Sequence, residues 1–175
     1  MTAEDAKRVS EAGGLPHDLD WNAVYADQLP RVYNYFRFRV GRSHDVEELT
    51  ARTFEKAWRA RAKYRRDLAG FSTWLFAIAR NVLTDQLRAA AVRTRAAAWP
   101  DPTEQVTPEG KAIRGSDMAR LGVLTADLPD RHKELIALKY GAALNNRVIA
   151  QITGLSESNV GTTLQRIVAR LRSQW

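Results

Sequence analysis

Apolar residues in this chain recur three and four positions apart, most clearly in the stretch GFSTWLFAIARNVLTDQLR at residues 70–88. An advance of about 100° per residue places its aliphatic and phenylalanine side chains on one broad arc, which predicts an amphipathic helix. The same period returns along most of the chain, and no stretch of useful length alternates apolar and polar residues as a strand does. The sequence therefore predicts an all-α fold, without an internal repeat.

One large side chain does not lie on this arc. On the helical projection Trp74 falls about 20° from Asn81, on a stripe that also holds Asp85 and Arg88. Two interpretations are open at this point: the ring packs against another helix, or it faces unpaired bases, which stack on aromatic rings flanked by cations. Asn81 and Asp85 could likewise form a solvated face, with Asp85 kept as a structural residue that steers Arg88.

Composition excludes several classes of function. There is no cysteine, so a disulfide framework and thiolate chemistry are excluded, as suits a reducing cytoplasm. The histidines His17, His44 and His132 are far apart in sequence, and neither a phosphate-binding glycine loop nor a paired metal-ligand spacing is present. The chain also lacks a signal-peptide layout and any apolar run of about 18 residues. We expect a cytoplasmic protein that is not an enzyme and has no cofactor and no metal ion.

The net charge of +7 is unevenly distributed along the chain. Lys and Arg minus Asp and Glu give −3 for residues 1–20, +8 for 21–98, −1 for 99–116 and +3 for 117–175. Two basic blocks flanking a near-neutral connector are typical of contact with a polyanion, because neutralising phosphates releases counterions. A surface charged only for solubility remains an alternative.

Proline, glycine and capping signals predict the domain organisation. Residues 1–20 have the composition of a disordered tail, and residues 97–116 are a linker in which prolines and glycines cluster. Between and after them, residues 21–96 and 117–175 carry helical periodicity. We therefore predict two small helical domains, an N-terminal helical bundle and a C-terminal helix-turn-helix domain, joined by a flexible linker.

Within residues 21–96, Asp20 is the predicted cap of a first helix that ends at Gly41. A second helix opens at Ser43 or His44 and carries acidic residues in its first turn, where the helix dipole favours them. Its predicted buried stripe is Val46, Leu49, Thr53, Ala57 and Trp58, widened by Phe54. The segment RAKYRRDLAG that follows is a basic loop with one tyrosine.

A helix-turn-helix is the clearest local motif. A short helix bearing Val148, Ile149 and Ile152 ends at Gly154, and Ser156 is a good N-cap for a longer last helix. That helix would expose residues able to contact base edges and phosphates in the major groove: Ser158, Asn159, Thr162, Gln165, Arg166 and Arg170. Helices packed for structure alone could give the same pattern.

Three motifs in this order resemble the extracytoplasmic-function group of bacterial RNA polymerase sigma factors. They are DVEELTARTFEKAWRA, FSTWLFAIARNVLTDQLR, and LPDRHKELIALKY followed by RVIAQITGLSESNVGTTLQRIVARLR, the last separated from the others by the proline-rich linker. The resemblance covers residues from about 21 to 174. It implies a promoter-specificity subunit whose region 2 (residues 21–96) recognises and melts the minus-ten element and whose region 4 (residues 117–175) binds the minus-thirty-five element.

The resemblance also implies partners and site residues. The partners are core RNA polymerase, promoter DNA as duplex and as melted single strand, and an anti-sigma factor, without membrane insertion. Core polymerase would contact Asp45, Glu47, Glu48, Leu49, Arg52, Phe54 and Trp58. The minus-ten DNA would contact Lys63, Tyr64, Arg65, Arg66, Phe71, Trp74, Asn81 and Arg88. The minus-thirty-five DNA would contact Ser156, Ser158, Asn159, Thr162, Thr163, Gln165, Arg166 and Arg170.

Two departures from the family pattern affect these expectations. Ala51 and Arg52 stand where the family usually has Gln-Glu, and the recognition helix has Val-Gly-Thr-Thr at residues 160–163 in place of Val-Lys-Ser-Arg. The second change removes two cations, so Arg166 and Arg170 carry more of the predicted phosphate contact. Two other functions remain as alternatives: a free-standing helix-turn-helix regulator, and a helical adaptor whose basic faces bind protein.

Overall fold

The computed structural model describes residues 20–41, 43–96 and 123–175, which are helical and contain no strand. Residues 1–19 of the predicted tail and the whole predicted linker, residues 97–116, lie outside these residues. The helices are α1 Trp21–Val40, α2 Ser43–Ala60, α3 Phe71–Ala96, α4 Asp130–Ile136, α5 Asn146–Thr153 and α6 Glu157–Gln174. A 3-10 turn at Arg61–Lys63 extends α2, and a π-helical turn at Ala137–Gly141 extends α4. The all-α prediction is confirmed.

Capping explains where α1 begins and ends. The Asp20 carboxylate accepts hydrogen bonds from the backbone N–H groups of Asn22 and Ala23, and Gly41 ends the helix in the left-handed region at φ 73°. The helix runs without interruption through Pro30. It buries Val32, Tyr35 and Phe36 against the rest of the protein.

The helix-turn-helix forms as its capping residues predict. Asn145 caps α5 by accepting from the Val148 N–H, and Gly154 ends it with φ 72°. Ser156 then caps α6 by accepting from the Asn159 N–H. Val160, Leu164 and Ile167 of α6 are buried, so the opposite face of the helix is left in solvent. Ahead of α4, residues 123–126 form one helical turn.

The helices form two blocks, the first of α1–α3 and the second of α4–α6, and the two blocks pack against each other around a shared core. Buried side chains of α1, α2 and α3 form one continuous cluster with buried side chains of α4, the π-helical turn, α5 and α6. The contact is close where Gly141 meets α1. A Cβ at Gly141 would lie 3.0 Å from the Asn34 carbonyl oxygen. The domain boundaries stay a prediction, while the arrangement of the blocks as packed neighbours is a feature that the sequence did not indicate.

One predicted core residue is wrong. Trp58 is 44% exposed instead of lying in the buried stripe of α2. It lies one position past Ala57, which takes the buried place and is fully covered. The other members of the predicted stripe, including Phe54 and the polar Thr53, are buried; the Thr53 hydroxyl donates to the Leu49 carbonyl 2.8 Å away.

Candidate nucleic-acid interface

The basic loop between α2 and α3 is held by its own side chains. Tyr64 is buried, and its hydroxyl donates to the Ala69 carbonyl at 3.2 Å. Arg65 donates two hydrogen bonds to Asp67, at 2.9 and 2.8 Å, which lowers the pKa of the Asp67 carboxyl. These contacts give the loop a defined shape and leave Leu68 75% exposed at its tip.

Tyr64, which is predicted to contact minus-ten DNA, is covered by neighbouring side chains. Its ring packs against Phe71 and Trp74, at centroid distances of 5.5 and 5.1 Å, and burial raises the pKa of its phenol. In this conformation neither face of the ring is open for a base. Tyr64 instead anchors the loop to α3.

The aromatic cluster also answers the question raised by Trp74. The Trp74 ring contacts Tyr64 and Phe71, the latter at 5.4 Å, so it does pack. It is nevertheless only partly buried, as is Phe71. The two interpretations left open by the sequence are thus compatible: the loop fixes the ring on one side while another part of it reaches solvent.

Further polar residues of α3 lie on the exposed surface beside this cluster. Asn81 and Arg88 are exposed, as the helical projection predicts. Asn81 lines a cleft of about 410 Å³ with Ile78 and three cationic side chains, and the lining residues are Lys56, Arg59, Ala60, Lys63, Ile78 and Asn81. Asp85 pairs with Lys56 at 3.2 Å, so it does not steer Arg88.

The residues predicted to bind core polymerase divide into an exposed and a buried group. Glu47, Glu48 and Trp58 are exposed, and Asp45 is partly exposed. Leu49 and Phe54 are buried in the core, at 1% and 7% exposure, so they support the surface from behind. Arg52 donates to Gln86 of α3 at 3.2 Å and lies 3.8 Å from Glu48, which ties it to the bundle.

Trp58 belongs to an exposed aromatic group at the end of α2. Its ring lies 5.2 Å from that of Trp21, and the Arg61 guanidinium lies 3.9 Å from the ring centroid, within the range of a cation–π contact. Phe54 lies one helical turn before Trp58 on α2, and its ring packs against that of Tyr25 of α1 at a centroid distance of 4.6 Å. Tyr25 is itself 41% exposed. The predicted docking surface is therefore acidic at the start of α2 and aromatic at its end.

Helix α6 exposes most of the residues that are predicted to contact the minus-thirty-five DNA. Ser156, Ser158, Asn159, Thr162, Gln165, Arg166 and Arg170 are all exposed. Thr163 is partly buried, and its hydroxyl donates to the Asn159 side-chain oxygen at 3.0 Å. Thr163 thus positions Asn159, and the outer face of α6 combines amide, hydroxyl and guanidinium groups suited to major-groove contact.

Sequence reasoning missed a polar cluster between the two blocks. Arg80 donates to Glu134 at 2.6 Å and to the Ile152 carbonyl at 2.8 Å. Arg39 donates to the Asp130 carboxylate at 2.9 Å, and this hydrogen bond lowers the pKa of Asp130. The helical projection places Arg80 about 20° beyond Leu87, at the edge of the apolar arc of α3 and not within it, so it gave no clear signal for this pairing.

The same cluster contains a buried phenol. Tyr35 is fully buried, and its hydroxyl has no hydrogen-bond partner among the described residues. Burial, followed by the nearby negative charge of Glu134, raises the pKa of Tyr35 far above its ordinary value. Tyr35 is therefore neutral at physiological pH and contributes packing at the block interface.

Among the described residues, no group of three or more His, Cys, Asp or Glu side chains is arranged to hold a metal ion. None of the described helices is long and apolar enough to span a membrane.

Comparisons with known proteins identify the class. Residues 24–93 match the family described as sigma-70 region 2. The chain is 29% identical over 168 residues to the ECF RNA polymerase sigma factor ShbA of Streptomyces griseus, covering 90% of this chain and 85% of that protein. It is 26% identical over 160 residues to the ECF RNA polymerase sigma factor SigM of Bacillus subtilis, covering 86% and 91%.

Solved structures show the same fold. The sigma factor RpoE of Bartonella quintana, in a complex with the anti-sigma factor NepR, matches with a TM-score of 0.69 at 18% identity, covering 88% of this chain and 95% of that one. CnrH, in a complex with the cytosolic domain of CnrY, matches with a TM-score of 0.58 at 22% identity, covering 87% and 82%.

Residues 24–93 thus match a sigma-70 region 2, and over most of its length the chain is homologous to ECF RNA polymerase sigma factors, in agreement with the resemblance carried by its three sequence motifs. Its function accordingly lies in transcription initiation directed by RNA polymerase, and its relatives act as regulatory factors.

Proposed function

We propose that this chain binds core RNA polymerase and selects promoters by their minus-thirty-five and minus-ten elements, and that its first block starts strand separation. The observation that carries the proposal is the partly exposed Trp74, fixed by the anchored loop and flanked by the cationic cleft at Asn81. An aromatic ring beside cations suits an unpaired base and its phosphate together.

The energetic balance of melting supports this role. Unstacking one base step costs a few kcal/mol. Stacking one base on an aromatic side chain returns about 1–3 kcal/mol. A single ring that is already held in place can therefore offset much of the cost of opening one step, because little side-chain entropy is lost on binding. Tyr64 and Phe71 provide this preorganisation by packing on Trp74.

Duplex recognition is assigned to α6. Its exposed amide and guanidinium groups, Asn159, Gln165 and Arg166 among them, are the types that hydrogen-bond base edges in the major groove. If Arg166 contacts a base, Arg166→Ala should weaken binding to the preferred DNA sequence more than binding to other sequences. If Arg166 contacts a phosphate, the affinity for all DNA sequences should fall equally.

The binding of core polymerase is assigned to α2. Glu47 and Glu48 offer charge at the start of the helix, and Trp58 offers a large exposed ring at its end. Aromatic residues dominate the binding energy of many protein interfaces. The neighbour RpoE was solved with the anti-sigma factor NepR, and an anti-sigma factor is proposed as a partner of this chain as well.

The test is the opening of promoter DNA by the complete complex of this chain with core polymerase. Trp74→Ala should leave closed-complex binding within about twofold but reduce permanganate reactivity of minus-ten thymines about tenfold or more, since about 1–3 kcal/mol of stacking is lost. Tyr140→Ala is the matched control, because Tyr140 is an exposed aromatic residue outside the proposed melting surface. Equal permanganate reactivity with wild type and Trp74→Ala would contradict the proposed stacking role of Trp74.

A further inference from the structure

Asn159 of α6 is held at both its backbone and its side chain. The Ser156 hydroxyl accepts a hydrogen bond from the Asn159 backbone N–H at 3.2 Å. One helical turn after Asn159, the Thr163 hydroxyl donates to the Asn159 side-chain oxygen at 3.0 Å. Asn159 is nevertheless exposed. Its amide therefore lies at the surface in an orientation that Thr163 sets.

The contact with Thr163 restricts what the Asn159 amide offers to a partner. An asparagine amide has one acceptor oxygen and an amino group with two donor hydrogens. Here the oxygen is directed along the helix toward Thr163. Because the oxygen and the nitrogen point in different directions from their shared carbon, the amino group points away from Thr163. The part of the amide that remains for a partner is then a hydrogen-bond donor.

The hydroxyl at residue 163 is a departure from the family pattern. Thr163 stands where that pattern has an arginine. An arginine side chain is long and carries a permanent charge suited to phosphate, whereas a threonine side chain reaches only its neighbours on the helix. The exchange gives up a cation and in return fixes the orientation of residue 159.

Asn159 lies where a helix-turn-helix contacts base edges. Residues near the N-terminus of the second helix of this motif read bases in the major groove, and Asn159 lies in the first turn of α6 after the Ser156 cap. A contact made at this position carries sequence information as well as affinity.

Adenine and guanine differ in how they meet a donor. Asparagine binds adenine through two hydrogen bonds, for which its oxygen must face N6 while its amino group faces N7. In α6 that oxygen is turned toward Thr163. Guanine presents two adjacent acceptors, N7 and O6, at the same edge. An asparagine held with its amino group outward therefore favours guanine over adenine.

We propose, on the basis of the proposed function, that Thr163 is a positioning residue that determines base specificity. Its hydroxyl holds Asn159 as a hydrogen-bond donor, so that the holoenzyme prefers guanine to adenine at the minus-thirty-five base that Asn159 contacts. Thr163 touches no base in this role, because it acts only through the Asn159 amide.

The test uses the complete complex of this chain with core polymerase, on promoters randomised in the minus-thirty-five element. Asn159→Ala identifies the base position, as the one where the transcripts lose their sequence preference. At that position wild type should favour guanine over adenine about tenfold, within the range of one base contact. Thr163→Val removes the hydroxyl and should lower the guanine-to-adenine ratio about fivefold, the effect of one hydrogen bond. Thr163→Ser retains a hydroxyl and should keep the wild-type ratio.

Thr153→Val is the matched control. Thr153 is also partly buried in the second block, and its hydroxyl donates to the Ile149 carbonyl four positions earlier. This variant should leave the ratio unchanged, because Thr153 lies on α5; a shift equal to that of Thr163→Val would overturn the positioning role.

Three further results overturn the proposal. One is a preference of wild type for adenine at the position that Asn159→Ala identifies. Another is an unchanged guanine-to-adenine ratio in Thr163→Val. The third is an equal loss of transcript from all sequences in Asn159→Ala, which would assign Asn159 to a phosphate contact.

A second measurement does not depend on transcription. In the free full-length chain, three-bond NMR couplings should report one χ1 rotamer for Asn159 in wild type and averaging among rotamers in Thr163→Val. Averaging in wild type overturns the contact between the Thr163 hydroxyl and Asn159. Absence of any wild-type transcript contradicts the proposed function instead, and the couplings still decide whether Thr163 fixes the Asn159 amide.

Discussion

At the scale of single residues, exposure separates residues that can touch a partner from residues that shape the surface. Trp74, Asn81 and Arg88 reach solvent, whereas Tyr64 is buried and Thr163 is bonded to a neighbour. The helical period predicts the first group well, because it gives the direction of each side chain on α3. It could not predict the burial of Tyr64, which depends on how an irregular loop folds back on the helix.

The loop anchor gives a prediction at this scale. Tyr64→Phe keeps the buried ring but removes the hydrogen bond to Ala69, so the loop should open more often by a factor of about five, as expected for about 1 kcal/mol. Hydrogen exchange at the Leu68 and Ala69 amides, which both donate to the Arg65 carbonyl, reports this opening directly. Tyr140→Phe serves as the control, and equal exchange in wild type and Tyr64→Phe would show that the hydroxyl does not anchor the loop.

At the scale of elements, caps and helix ends were the most predictable part of the fold. Asp20, Gly41, Gly154 and Ser156 all take their predicted positions, because each satisfies backbone groups at a helix end by local geometry. Trp58 was misplaced by one position on α2, where the tertiary contacts of Ala57 decide which side chain is covered. Periodicity fixes the buried face of a helix more reliably than it fixes the edges of that face.

The glycine inside α6 gives a prediction at this scale. A Cβ at Gly161 would lie 3.4 Å from the Asn146 side-chain amide, which can shift slightly. Gly161→Ala should therefore stabilise the chain by about 0.5–1 kcal/mol and raise Tm by about 1–4 °C in thermal denaturation. Gly154→Ala is the contrasting variant, since its φ of 72° penalises alanine and should lower Tm.

The Gly161→Ala variant also tests whether the glycine serves the stability of α6 or the binding of DNA. If the glycine serves only α6 stability, binding of Gly161→Ala to minus-thirty-five duplex should match wild type within about twofold. A large loss of affinity in a chain of raised Tm would instead show that DNA approaches the backbone at this position. A lowered Tm for Gly161→Ala would contradict the packing described for Asn146.

At the scale of the whole molecule, the two basic blocks and the helix-turn-helix were predictable from charge and periodicity, but their mutual packing was not. That packing depends on Gly141 and on ion pairs such as Arg80–Glu134, between residues far apart in sequence. Patterns in a single sequence indicate which way a side chain points from its own helix, but they do not indicate which distant residue it contacts. The sequence alternatives, a free-standing regulator and a protein-binding adaptor, likewise differ from a sigma factor only in the partner of the whole chain.

The most direct measurement is run-off transcription by purified core polymerase on templates randomised across both promoter elements. The account predicts transcripts only when this chain is added, enriched for one pair of sequences separated by a fixed spacing. It also predicts that Trp74→Ala lowers yield without changing the preferred upstream sequence. Tight duplex binding by the chain alone, with no transcript from any template, would contradict the account and favour a regulator that works without forming a holoenzyme.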